Sequence, residues 1–111
     1  MAISIVVSET VSFKVKGTIN NATGTPEPFD FRLTCERLDQ EQINAKQKED
    51  GEQPLADFLV EVTTDWSGVK TQAKENVPFS EDAYRSLLKI PGLAYLTYRT
   101  YLAEVGAKEK N

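Results

Sequence analysis

From Ile3 to Cys35 the apolar residues fall on alternate positions, and at Asp39 that period stops. Ile3, Ile5, Val7, Val11, Phe13, Val15 and Ile19 share one parity, with Ser4, Ser8, Thr10, Ser12, Lys14, Lys16 and Thr18 on the other. Such a stretch is read as strand with one buried and one wet face. Glu9 breaks the apolar parity, so a bulge or interruption near residues 8–10 is expected. Residues 20–28, NNATGTPEP, are turn formers throughout. Phe29, Phe31, Leu33 and Cys35 then alternate with Asp30, Arg32, Thr34 and Glu36. A hairpin pairing roughly 11–19 with 28–36 follows.

After Asp39 the spacing is helical. Asp39 with Gln42 three residues on forms a capping-box variant. Of the residues up to Asp50, only Ile43 is strongly apolar, so that helix is expected to be mostly wet. Gly51 interrupts it, and Pro54 suits the start of the next helix. There Leu55, Phe58, Leu59, Val62 and Trp66 follow one helical stripe, with Asp57 and Glu61 beside water. Ser80 is the expected N-cap of a third helix carrying Ala83, Tyr84, Leu87 and Leu88, with Phe79 stapled against Tyr84. Pro91-Gly92 turns the chain into a fourth helix striped by Ala94, Tyr98, Tyr101, Leu102 and Val105, widened by Tyr95 and Leu96 and ended at Gly106.

The expected fold is α+β: an N-terminal antiparallel β-hairpin or small sheet packed against three to four C-terminal helices. Strands occupy about 3–36 and helices about 39–106. The chain has 111 residues, which suits a single core. Residues 1–106 are therefore read as one domain and 107–111 as a polar tail. The beginning, MAISIVVSE, carries no basic leader, and no segment approaches the roughly 20 apolar residues of a membrane span.

A net charge of −4 argues against nucleic-acid binding, which depends on cations that neutralise phosphates. The charge is unevenly spread. Residues 37–65 hold three basic and eight acidic side chains, whereas residues 66–111 hold seven basic and five acidic. Most of that asymmetry is read as a plain solvated acidic surface, with a head-to-tail meeting of two copies as the other reading.

The chain contains no histidine, which removes the usual general base and the commonest nitrogen ligand for metals. The single cysteine, Cys35, lies on the inward parity of a strand, where a thiol is inert. Asp57 and Glu61 are a helical turn apart but lack further convergent oxygen ligands. Neither a catalytic centre nor a cofactor or metal site is expected. Attention falls instead on large aromatics that could serve a protein interface: Trp66, readable as a core-edge ring or a partner anchor, and Tyr95, Tyr98 and Tyr101, which cannot all enter one small core. Self-association through a sheet edge or the last helix is expected from these features.

Several stretches carry a resemblance. The run Leu38-Asp39-Gln40-Glu41-Gln42-Ile43 is followed by Asp57-Phe58-Leu59-Val60-Glu61-Val62 and Trp66-Ser67-Gly68-Val69. Then come Val77-Pro78-Phe79-Ser80-Glu81, Leu87-Leu88-Lys89-Ile90-Pro91-Gly92 and the closing Tyr101-Leu102-Ala103-Glu104 with Gly106-Ala107-Lys108-Glu109-Lys110-Asn111. In this order they resemble the tail assembly chaperones of long-tailed bacteriophages over nearly the whole chain. The resemblance implies a phage or prophage protein of the host cytoplasm, absent from the mature virion, which forms homo-oligomers and coats the tape measure protein to keep it soluble before tail tube polymerisation. A frameshifted long form of the chain and the tail tube protein are further implied partners. The alternative is a structural virion component such as a head–tail joining or tail tube protein.

Overall fold

The computed structural model describes residues 8–49 (side chains to 46), 55–71 and 73–106. Two long strands, β1 (Thr10–Asn20) and β2 (Pro26–Glu36), pair antiparallel from Thr10↔Glu36 to Asn20↔Pro26 without a register shift. The turn between them is organised by Asn21. Its Oδ1 accepts the backbone N–H groups of Thr23 and Thr25, and its Nδ2 donates to Glu27 Oε1 at 2.9 Å. Short polar side chains that bond their own backbone in this way stabilise turns locally. The expected strand character of Ile3, Ile5 and Val7 lies outside the described residues.

At Asp39 the backbone enters α1 (Gln40–Glu49) through a complete capping box. Asp39 Oδ1 accepts the Gln42 N–H at 2.7 Å, and Gln42 Oε1 accepts the Asp39 N–H at 3.0 Å. Ile43 is the one side chain on the described part of this helix that is buried. The expected roles of Gly51 and Pro54 fall outside the described residues.

Helix α2 (Leu55–Val62) buries Phe58, Leu59 and Val62, and there the helical reading of the sequence fails. Residues 63–67 are not a continuation of the helix but a third strand, β3 (Thr63–Ser67), antiparallel to β2. The helices expected over about 39–106 are thus interrupted by a strand, while the loop expected from Gly68 follows it. Trp66 sits four residues after Val62, so a strand residue continued the helical spacing by coincidence. The β-branched pair Thr63-Thr64 favours the extended state, and pairing with the open side of β2 supplies the hydrogen bonds that a longer helix would have made internally.

The register shifts at Thr34/Cys35: Thr34 faces Asp65 while Cys35 faces Thr63. Thr64 is the extra residue, and its hydroxyl donates to Thr34 O at 3.1 Å. This bulge turns both Thr63 and Trp66 to the inside, although they are three residues apart.

The sheet order is β1-β2-β3. Its inner face carries Phe13, Val15, Phe31, Leu33, Cys35, Thr63 and Trp66, all buried. Helices α2, α3 (Glu81–Leu88) and α4 (Leu93–Val105) close over that face, with α4 lying against β1. Ser80 caps α3 by accepting the Ala83 N–H at 3.1 Å, and the Phe79 and Tyr84 rings meet at 5.9 Å as the expected staple.

The fully buried row of α4 is Leu93, Thr97 and Tyr101. This is rotated from the expected stripe. Ala94, Tyr98, Leu102 and Val105 flank the row as half-buried neighbours.

Candidate interaction surface

The four aromatic candidates occupy different environments. Trp66 is 7% exposed, its ring edge-on to Phe79 at 5.3 Å and to Tyr84 at 5.9 Å. Its indole N–H donates to Val77 O at 2.8 Å. With both the ring and its polar tip engaged inside the domain, little of Trp66 is left for a partner.

Tyr101 is fully buried between Phe13 and Phe58. Its hydroxyl donates to Glu36 O at 2.8 Å and accepts the Leu38 N–H at 3.3 Å, so the phenol ties the last helix to the junction between β2 and α1. Tyr98 is half-buried, edge-on to Phe58 at 5.5 Å. Tyr95 is 58% exposed, with the Arg99 guanidinium 5.3 Å from its ring centre. Of the four, Tyr95 presents the most surface to a partner, and Trp66 and Tyr101 present almost none.

Beside the N-terminal end of α4 lies an apolar groove that the sequence reading did not assemble. Ile19, Phe29, Ile90, Pro91, Leu93 and Leu96 line it together with Thr18 and Gly92, enclosing about 220 Å³. Its origin is Gly17. A Cβ at that position would lie 3.0 Å from Phe29 Cζ and 3.2 Å from Leu96 Cδ2, so any side chain there would push the cross-strand Phe29 ring and Leu96 aside by a few tenths of an ångström. Ile19, 43% exposed, stands at the open margin. A glycine within an alternating strand was the available signal, because it marks close approach of another group. The groove is below the roughly 300 Å³ at which small-molecule sites begin, and it fits one or two apolar side chains of another protein better than a metabolite.

A second cleft sits where α4 ends. It is lined by Ser8, Glu9, Arg37, Leu38, Asp39, Gln42, Val105 and Gly106. Arg37 donates from Nη1 to Val105 O at 3.1 Å, offsetting the partial negative charge of the helix C-terminus. This contact joins the connection between β2 and α1 to the end of α4.

Cys35 Sγ lies 3.4 Å from Thr63 Oγ1, which lies 2.9 Å from the Tyr84 hydroxyl, and all three side chains are buried. Burial pushes the Cys35 thiol up to about 11, with the Thr63 contact a smaller opposing influence, so almost no thiolate forms near neutral pH. Burial likewise raises the Tyr84 phenol well above its ordinary value. Asp57 does not share a site with Glu61: it pairs with Arg85 at 2.6 Å, while Glu61 pairs with Lys46 at 2.6 Å. Among the described residues no cluster of three or more potential metal-ligating Cys, Asp or Glu side chains occurs. Also among the described residues, no helix is long and apolar enough to cross a membrane.

No protein-family model, curated protein or solved structure matches the chain.

Proposed function

We propose that this chain is a phage tail assembly chaperone that oligomerises and coats the tape measure protein, keeping that long helical polypeptide soluble before the tail tube forms around it. The reading begins from the resemblance of the ordered sequence stretches. The structural observation that carries it is the open apolar groove at one end of α4, lined by Ile19, Phe29 and Leu96 among others, with Ile19 43% exposed. A helix laid across such a groove offers apolar side chains at i and i+3 or i+4. One groove of this size gives a weak contact. Several copies joined in an oligomer hold a long helix well, because each bound site raises the effective concentration of the next. The exposed Tyr95 ring, backed by Arg99, is the surface through which α4 contributes to that oligomer.

The test is co-expression with the cognate tape measure protein, followed by pull-down and measurement of soluble tape measure. Complex formation and a rise in solubility are expected, together with weakening by Ile19→Ser or Tyr95→Ser. No complex and no gain, even with a frameshifted long form supplied, would refute the reading.

The alternative of a structural virion component draws support from β3, which places a strand in the region expected to be helical. Presence of the chain in purified particles would favour that alternative, and its absence from them the chaperone.

A further inference from the structure

We infer that the outer edge of β1 is a docking strand for an extended, acidic segment of another protein, independently of whether the chain is a chaperone. Among the described residues no strand lies beyond β1. The backbone direction follows from one hydrogen bond: Arg37 N donates to Glu9 O at 2.8 Å, and that pair continues the ladder register. Odd-numbered residues of β1 therefore exchange their hydrogen bonds with β2, and the N–H and C=O groups of Ser12, Lys14, Lys16 and Thr18 point away from the sheet. The edge contains no proline and its pairing with β2 no bulge, so two of the usual protections against strand addition are missing from β1 itself.

Charge selects the occupant. Lys14 and Lys16 are exposed on the face not covered by helices, and Lys14 stands directly opposite Arg32 on β2. Like charges facing each other across strands are unfavourable in the isolated sheet. Asp30, opposite Lys16, is the nearest compensation in the register, and neither lysine makes an ion pair among the described residues. Three cations thus gather on β1 and β2 in a chain whose net charge is −4.

A second copy is the wrong partner for this edge. Antiparallel pairing of two β1 edges along their full length sets Lys14 of each opposite Lys16 of the other. An incoming strand with acidic residues at alternate positions places them beside Lys14 and Lys16, and its intervening residues fall on the face where α4 packs, which favours small apolar side chains.

The probe is a soluble peptide of about nine residues alternating glutamate and valine, with a lysine–valine peptide as control. Amide exchange should slow at Ser12, Lys14, Lys16 and Thr18 when the acidic peptide is added, and not when the control is added. The K14E/K16E variant should lose affinity for the acidic peptide by about tenfold and gain it for the basic one. Ser12→Pro removes one outward donor without touching the β1–β2 ladder. It should weaken peptide binding while the far-UV dichroism of the fold is kept.

Absence of protection at about millimolar peptide, a typical limit for weak contacts, would overturn the inference. Equal binding of both peptides to the parent and the K14E/K16E variant would overturn it as well. So would protection of the same amides in the free protein that rises with its concentration, since the occupant would then be a second copy.

Discussion

Trp66→Ala is the substitution whose cost the structure defines best. The ring is almost wholly enclosed, meets Phe79 and Tyr84 edge-on, and donates its N–H to Val77 O. Truncating a buried aromatic to alanine costs about 3–5 kcal/mol through lost transfer energy and the cavity left behind. Each edge-to-face partner adds about 0.5–1.5 kcal/mol beyond area burial, so the upper half of that range is expected. Val77 is only half-buried, so water can reach its carbonyl once the indole is gone, which limits the further loss from the broken hydrogen bond.

For a domain of this size a loss of about 4 kcal/mol lowers Tm by roughly 15 °C or more. Trp66→Phe keeps most of the ring while removing the donor, and should cost about 1–2 kcal/mol. Urea unfolding followed by far-UV circular dichroism is the suitable assay, because the only tryptophan is the residue replaced. A loss below about 1 kcal/mol for Trp66→Ala would refute the core placement, since surface substitutions fall in that range. Unchanged stability with weakened self-association would instead make the ring an interface anchor.

Thr63→Val should destabilise by about 1–3 kcal/mol because it leaves the Tyr84 hydroxyl buried without its partner, and adding Tyr84→Phe should recover part of that loss in a double-mutant cycle. Alkaline titration should reveal Cys35. Its folded pKa, raised from 9.0 to about 11, means the folded state retains a proton the unfolded chain releases, so this contribution is complete below pH 9 and is lost as pH rises toward 11. The size, on the order of 2–3 kcal/mol, can be measured by comparing denaturant midpoints of parent and Cys35→Ala at pH 8 and 10.5, where the parent should fall more. Tyr95→Ser should leave unfolding within about 0.5 kcal/mol of the parent while reducing oligomer size in sedimentation.

What the sequence revealed was mostly local. The Asp39–Gln42 box, the Ser80 cap and the Phe79–Tyr84 staple each use residues within a few positions of one another, so their chemistry is written contiguously. The hairpin was also legible, because its alternation persists on both arms around an obvious turn. β3 was not. It is short, and its Trp66 continues the spacing of Leu59 and Val62, while the partner that makes it a strand lies far back in the sequence on β2.

The rotation of α4 escaped for a different reason. Thr97, a polar residue, holds the centre of its buried row, and hydropathy assigns such a residue to the outside. The interaction surface was half legible. Tyr95 was among the expected aromatics, but the groove depends on Gly17, Phe29 and Leu96 meeting in space across three elements.

The double hydrogen bond of the Tyr101 hydroxyl bears on how quickly the domain opens. It grips both sides of the junction between β2 and α1 from a helix more than sixty positions along the chain, with separations of 65 and 63 residues. Contacts that close so long a loop require the intervening chain to be ordered before they are rewarded. The expectation is that this one forms late, in which case Tyr101→Phe should speed unfolding far more than it slows folding in a denaturant chevron. Interactions of that kind leave the rate of folding nearly untouched and slow the reverse step. On that expectation the Tyr101 hydroxyl governs residence time in the folded form, and an unchanged unfolding rate in Tyr101→Phe would refute it.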